Sequence, residues 1–248
     1  VEVSRYVSAA HGDVWQHRIM FQRGQRDAWL AGRFPTWNPH IFCGFPFHAN
    51  CTSAVLSPFN LPYFWFEPNV VRGPLAIVRL WIAGVGAFFF ARRFAISWTG
   101  AFLSGLTWML CSFNIHWLLW GLPSNTTIWL PMLLIALDRL VVAPAPGRFS
   151  IAGFAAIVLF LSGHPETQFQ AGLVAALYVV ARAWRLGVSF HSTVWRLFLA
   201  FLAMCIGLAG SAAALWPFFD QLMDSVDWAE NIHSRASLPA QAFLLFLL

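Results

Sequence analysis

From residue 74 onward the sequence is a succession of apolar runs separated by short polar connections, and this alternation decides what the chain can fold into. The runs cover residues 74–91, 99–120, 126–142, 149–161, 167–183 and 193–216. As helices, most are long enough to cross a hydrocarbon core of about 30 Å at roughly 1.5 Å per residue. With 59% hydrophobic and only 10% charged residues, the 248-residue chain carries far more apolar surface than one soluble core could hide. The expected fold is all-α, a polytopic transmembrane helical bundle. All fifteen basic residues are arginine, which excludes lysine Schiff-base chemistry. These arginines are scattered along hydrophobic segments instead of clustering on a soluble face, so the basic balance indicates topology and no nucleic-acid partner.

Basic residues also give the runs a polarity. Arg92 and Arg93, Arg139 and Arg148, and Arg182, Arg185 and Arg196 fall at alternate connections, while residues 121–125 and 163–166 hold no arginine. The positive-inside rule makes the first set cytoplasmic. Residues 12–50, the 163–166 turn and the acidic stretch after Trp216 then share the extracytoplasmic face. The run at 149–161 would rise only roughly 20 Å as a helix. Unless it starts back near Pro146 with Arg148 snorkelling, Gly163-His164-Pro165-Glu166 lies below the outer surface. Polar backbone at that depth needs protein or a water-filled cavity around it. An outward-facing cavity is therefore predicted, floored by this turn and roofed by the first loop.

That first loop contains the longest polar stretch, residues 12–50. Asp13 precedes an amphipathic pattern with Trp15, Ile19 and Phe21 apolar and Gln16, Arg23 and Arg26 polar, closed by Gly32 and Pro35. A helix lying in the interface plane is predicted here. Asp13 with Gln16 three residues on also fits a capping box, which needs no catalytic role. Pro35, Pro39, Gly44, Pro46 and Pro58 forbid a long regular element, so residues 37–59 should form an ordered loop packed by its own aromatics. The chain thus divides into an extracytoplasmic region (1–73), a bundle of about six helices (74–216) and an acidic segment leading into a further apolar helix (217–248). Opening without an initiator Met and ending inside the apolar run 242–248, it reads as a fragment.

Several short motifs occur in an order that resembles a known family. Gly12-Asp13, then Gly32-Arg33-Phe34-Pro35-Thr36-Trp37-Asn38-Pro39, then Gly44-Phe45-Pro46-Phe47-His48-Ala49-Asn50 and Ser57-Pro58 look like the first outer loop of the YfhO-like bacterial membrane proteins. An Ala-Gly-x-Gly helix running from Ala83 to Arg92-Arg93, Trp129-Leu130-Pro131, and Ser162-Gly163-His164-Pro165-Glu166-Thr167 follow in the same order. That family belongs to the polytopic glycosyltransferases of the GT-C type. Two departures are visible: the membrane helix that members carry ahead of the Asp loop is missing, as are their later helices.

The resemblance implies an enzyme of the bacterial cytoplasmic membrane that moves a sugar from a polyprenyl-phosphate donor to an extracytoplasmic glycan, lipid or protein acceptor. Asp13 occupies the place of the usual catalytic acidic residue and would take the proton of the attacking hydroxyl. The leaving phosphate needs cations instead of an acid, and arginine offers a planar fork of donors. Arg79, inside the first span, and Arg235, near a Ser-x-Arg-like element, are the candidates. Arg79 could equally be an interfacial anchor, and Arg235 a partner of Asp227 or Glu230. His164 and Glu166, with Trp37 and Asn50, are candidates for acceptor or sugar binding, although a Gly-His-Pro turn also has a purely structural explanation.

A divalent metal held by Glu166 and Asp13 is a further candidate, and His11, His17, His40 and His48 enlarge the pool without forming a recognised zinc spacing. Cys43 and Cys51 would pair only in an oxidising compartment; free thiols are expected for these and for Cys111 and Cys205. Most aromatics fall at span ends or within spans, leaving Trp15, Trp37 and Trp65 as candidates for sugar or lipid contact. Two rival readings stay open: a transporter or lipid flippase, disfavoured by the lack of an inverted repeat or matched broken helices, and a non-catalytic membrane scaffold.

Overall fold

The computed structural model describes residues 20–39, 43–118 and 123–224. Asp13, Trp15, His11, His17, His40 and Arg235, with the expectations attached to them, lie outside these residues. An amphipathic helix, α1 (Met20–Leu30), precedes a two-residue antiparallel ladder of β1 (Trp37–Asn38) and β2 (Phe45–Pro46), pairing Trp37 with Pro46 and Asn38 with Phe45. Two short 3-10 turns, Cys51–Ser53 and Leu61–Phe64, lead into the bundle. The bundle consists of α2 (Pro68–Arg92), α3 (Trp98–Met109), α4 (Ser112–Trp117), α5 (Pro123–Val142), α6 (Pro146–Phe160), α7 (Pro165–Arg185), α8 (Phe190–Gly210) and α9 (Ala212–Met223).

The helix boundaries follow local chemistry. Proline stands at the first positions of α2, α6 and α7, where its missing N–H costs nothing. Serine side chains cap α3 and α8, accepting from Gly100 N–H at 3.2 Å and Ser192 N–H at 3.4 Å. At the end of α1, Gly32 adopts φ +68°. The paired bonds Gly32 N–H to Trp29 carbonyl (2.9 Å) and Arg33 N–H to Ala28 carbonyl (2.9 Å) form a Schellman closure there.

Among the described residues α2, α5 and α8 are long and apolar enough to cross a membrane, and α6 is a shorter apolar helix. The protein is a polytopic helical membrane protein. Its central element is α5, with 67% of its apolar stretch inside the bundle against 28% for α2 and 17% for α8. Ile128, Leu133, Leu137, Leu140 and Val141 of α5 are buried, whereas Ile77, Trp81 and Phe89 of α2 and Phe198 and Phe201 of α8 are exposed, as lipid-facing positions would be. Small residues set the closest helix approaches: a Cβ on Gly105 of α3 would stand 2.8 Å from the Gly84 carbonyl of α2. Without lipid-excluding hydrophobicity between helices, such close packing supplies their attraction.

Two predicted spans are divided. The run at 99–120 breaks at Leu110–Cys111, where Cys111 turns extended (φ −60°, ψ 148°). Asn114 Nδ2 donates to the Trp108 carbonyl at 2.8 Å, giving it a partner beyond the helix end. The run at 193–216 breaks at Ser211, whose hydroxyl bonds back to the Gly207 carbonyl (2.9 Å) and across to the Ile157 carbonyl of α6 (3.2 Å). The first span begins at Pro68, six residues ahead of the expected Pro74, which is accommodated inside α2. As one branch of the expectation required, α6 does start at Pro146, with Arg148 donating to the Ala143 carbonyl.

The arginines of alternate connections meet at one end of the bundle, around the C-terminus of α5. Asp138 of α5 has no exposed surface. Its Oδ2 accepts from Arg93 Nε (2.8 Å) and Nη2 (2.5 Å), and its Oδ1 from Arg182 Nε (2.7 Å) and the Tyr178 hydroxyl (2.8 Å). Arg196 of α8 donates to the carbonyls of Val141 and Val142, the second at 2.8 Å. Three helices are thereby cross-linked through one carboxylate. Asp138→Asn leaves two guanidiniums facing a neutral amide, and a loss of about 3 kcal/mol is expected, as for other broken buried pairs. Chemical denaturation of the purified protein in detergent measures it, with Asp220→Asn, on an exposed site of α9, unchanged as the control.

Candidate functional site

The first loop folds over the arginine-poor end as a small aromatic body. Phe21 of α1 packs edge-on against Phe47 (5.3 Å), Trp29 stacks on Phe64 (4.5 Å), and Gln25 Nε2 donates to the Val55 carbonyl (3.2 Å). Asn60 Nδ2 holds the segment below by donating to the carbonyls of Ser53 (2.9 Å) and Ala54 (2.8 Å). An ion pair of 2.8 Å between Arg26 and Glu67 ties α1 to the start of α2. The loop is thus ordered by its own aromatics, as its composition predicts.

Under this body lies Arg79. It sits roughly 16 Å along α2 from the helix start, deeper than the run beginning at Pro74 suggested. Only 2% of its surface is exposed, so it is not an interfacial anchor. Its guanidinium carbon stands 5.1 Å from the centre of the Phe59 ring, which in turn stacks on Trp129 of α5 at 5.3 Å. Tyr63 and Arg72 are its electrostatic neighbours, yet the Tyr63 hydroxyl completes no hydrogen bond of ordinary geometry and no described carboxylate pairs with the charge. Arg79 Nε and Nη2 are buried without a partner among the described residues.

Other buried groups without a partner among the described residues lie on the first loop, α3 and α5: Ser53 and Ser57 hydroxyls, Asn60 Oδ1, the Tyr63 hydroxyl, both carboxamide atoms of Asn125, the Thr126 hydroxyl, and the indole N–H groups of Trp108 and Trp129. Buried donors and acceptors are normally satisfied, so this concentration marks where a polar ligand would recover the most hydrogen bonding. Phe59 and Tyr63 were not singled out from the sequence as neighbours of Arg79, nor Asn60 and Trp129 as the residues beside them. The signals available were the Ser57-Pro58 and Trp129-Leu130-Pro131 motifs that border them.

The Gly163 turn is placed differently from the expectation. The first loop rests directly on it, and the space between His48, Cys51, Ala54, Phe160 and Gly163 measures only about 10 Å³. Among the described residues no roomy cavity separates this turn from the loop, because Gly163 (φ +85°) brings its Cα against the loop: a Cβ there would overlap Ala54 and come within 2.8 Å of the Cys51 carbonyl. His164 caps α7, its Nδ1 accepting from Thr167 N–H (3.3 Å) and lying 2.8 Å from the Thr167 hydroxyl. Burial pushes the imidazole down from its ordinary value, against the pull of Glu166, so the neutral ring that this cap requires is favoured. Glu166 is exposed in the first turn of α7.

Asn50 Oδ1 caps the 3-10 turn, accepting from Thr52 N–H (3.1 Å) and its hydroxyl (2.6 Å). Trp37 is 58% exposed and, with Asp27, Arg33 and Asn38, borders a mixed polar and apolar cavity of about 510 Å³ beside α1. His164 and Glu166 reach Arg79 only indirectly: Ser162 donates to the Asn125 carbonyl (3.4 Å), one turn of α5 from Trp129. Among the described residues no three His, Cys, Asp or Glu side chains come together, and Asp13 lies outside them.

No family model, no curated protein and no solved structure matches this chain.

Three measurements follow from the loop and its contacts. Gly163→Ala must adopt a left-handed backbone and displace Ala54, so its thermal midpoint should fall by an amount corresponding to about 1–3 kcal/mol; Gly147→Ala, with open space around it, should not. The four cysteines are free, with Cys43 exposed and Cys51 buried. Burial pushes the Cys51 thiol from 9.0 up to about 12. The unfolded chain therefore releases that proton first, and stability should fall as pH rises from 9.0 towards about 12. At neutral pH a maleimide should label Cys43 rapidly and Cys51 only on unfolding, as read by mass spectrometry.

Proposed function

We propose that this chain is part of a membrane glycosyltransferase of the GT-C type, akin to the YfhO-like proteins, that takes a sugar from a polyprenyl-phosphate donor to an extracytoplasmic acceptor. The observation that carries the reading is Arg79, a buried guanidinium with no described anion beside it. A cation without a paired anion inside a membrane protein is costly, and an anionic substrate group offsets that cost only when bound. Phe59 lies against it, Trp129 stacks behind Phe59 and Tyr63 adjoins it, aromatic groups suited to a lipid-linked sugar.

In the proposed reaction an acceptor hydroxyl attacks the anomeric carbon, the carbon–oxygen bond to phosphate breaks, and the electron pair leaves with the polyprenyl phosphate. Asp13 takes the hydroxyl proton, and Arg79, joined by Arg235, neutralises the leaving charge. Trp37 and the exposed Glu166 are the acceptor-side candidates; His164 and Asn50 act through the turns they cap. A divalent ion shared by Asp13 and Glu166 belongs to the same proposal.

Transport of a lipid phosphate without chemistry is the second reading. It draws on the two interrupted spans, at Leu110–Cys111 and at Ser211. Sugar transfer by membranes supplied with polyprenyl-phosphate sugars separates the two. Arg79→Gln should lower transfer by roughly a hundredfold or more, the scale of losing one charge-stabilising donor. Its thermal midpoint should hold or rise, because the unpaired buried charge is gone. Asp13→Asn should abolish transfer at matched expression. Full activity in either variant sinks the transferase reading; donor movement across vesicles without turnover favours transport.

A further inference from the structure

At the opposite, arginine-rich end, a cavity of about 430 Å³ opens between the ends of α2, α5 and α6. Arg93, Arg139 and Arg148 enter its wall from three different elements, and Ala136, Val142 and Ile151 supply the apolar remainder. Among the described residues no acidic side chain lines it. The nearby Asp138 is already engaged by Arg93, Arg182 and Tyr178, so the charge presented to the cavity is positive. Two of the three guanidiniums are fixed in advance: Arg93 by Asp138, and Arg148 by the Ala143 carbonyl at the end of α5. Preorganised donors lose little freedom on binding. Arg139 is exposed and takes no part in the Asp138 pairs, leaving its fork available.

The cavity also has a direction. Ile151 is 56% exposed and Phe154, one turn further along the same face of α6, is 67% exposed, so an apolar track leads from the basic mouth along the bundle's outer surface. A small soluble anion would use the arginines and leave this track bare. An amphiphile with an anionic head and an acyl chain would use both.

We propose that this cavity is a binding site for the headgroup of an anionic phospholipid, with Arg139 and Arg148 on the phosphate, Arg93 completing the wall, and an acyl chain lying over Ile151 and Phe154. The site is independent of the transferase reading, since it lies at the other end of the bundle from Arg79.

Native mass spectrometry and thermal unfolding of the purified full chain in detergent, titrated with phosphatidylglycerol, phosphatidylcholine or inorganic phosphate, test it. Phosphatidylglycerol should remain bound and raise the unfolding midpoint, phosphatidylcholine should not, and inorganic phosphate at the same concentration should not displace it. Arg139→Gln/Arg148→Gln should weaken phosphatidylglycerol binding roughly thirtyfold, each basic residue at a leaflet surface contributing about fivefold. Arg139→Gln alone, at an exposed position, guards against a folding defect in the pair and should give about a fivefold loss. Arg185→Gln, at the same end but outside the cavity, should bind as wild type. Equal protection by phosphatidylcholine, wild-type binding by the double variant, or an equal loss in Arg185→Gln overturns the site. Displacement by inorganic phosphate reassigns it to a free anion and overturns the lipid.

Discussion

One carboxylate holds the bundle in register. Asp138 lies on the helix that every other long helix packs against, and its two oxygens are divided between α2 and α7. In a bilayer there is no water to share the task, so a buried aspartate is tolerable only when each lone pair finds a donor. Arg93, Arg182 and Tyr178 meet that demand, and in doing so they fix the rotation and depth of both helices relative to α5. Arg196 and Arg148 then cover the carbonyls at or just beyond the end of α5, with positive charge where the helix dipole is negative.

The other end of the same bundle is built on the opposite principle. There a full positive charge, Arg79, is buried among aromatic rings and hydroxyls whose hydrogen-bonding capacity is largely unused. The two ends contain comparable chemistry and differ in whether it is closed. Strength resides where the network is complete, and the proposed transfer chemistry lies where it is open. A protein of marginal stability sustains the open end because the hub at Asp138 and the small-residue contacts of α2 with α3 and of α6 with α8 carry the packing.

Much of this was readable beforehand, and the misses have physical causes. The helical class and the grouping of arginine connections at one end depend on composition and spacing, which act independently of detail. The loop packed by its own aromatics was similarly legible from prolines and phenylalanines alone. The breaks at Cys111 and Ser211 were not, because a hydroxyl or carboxamide can satisfy a helix carbonyl without changing hydropathy. Asp138 passed unremarked inside an apolar run because its partners are 44 and 45 residues away. The expected cavity under the loop failed at Gly163, where a missing Cβ allows a contact that residue size, not polarity, decides. Arg79 was noticed, but its isolation is a fact of three dimensions.

The placement of Asp138 between its partners in sequence also orders events in time. Arg93 is made 45 residues earlier and Arg182 44 residues later. At ribosomal rates of about 5–20 residues per second, the aspartate emerges with one arginine already present and waits several seconds for the other. Throughout that interval α5, the least apolar of the three spanning helices, has Arg93 at the end of α2 as the one arginine of the pair already made. The two-sided bond that closes this end of the bundle can thus form only one side at a time, the α2 side first.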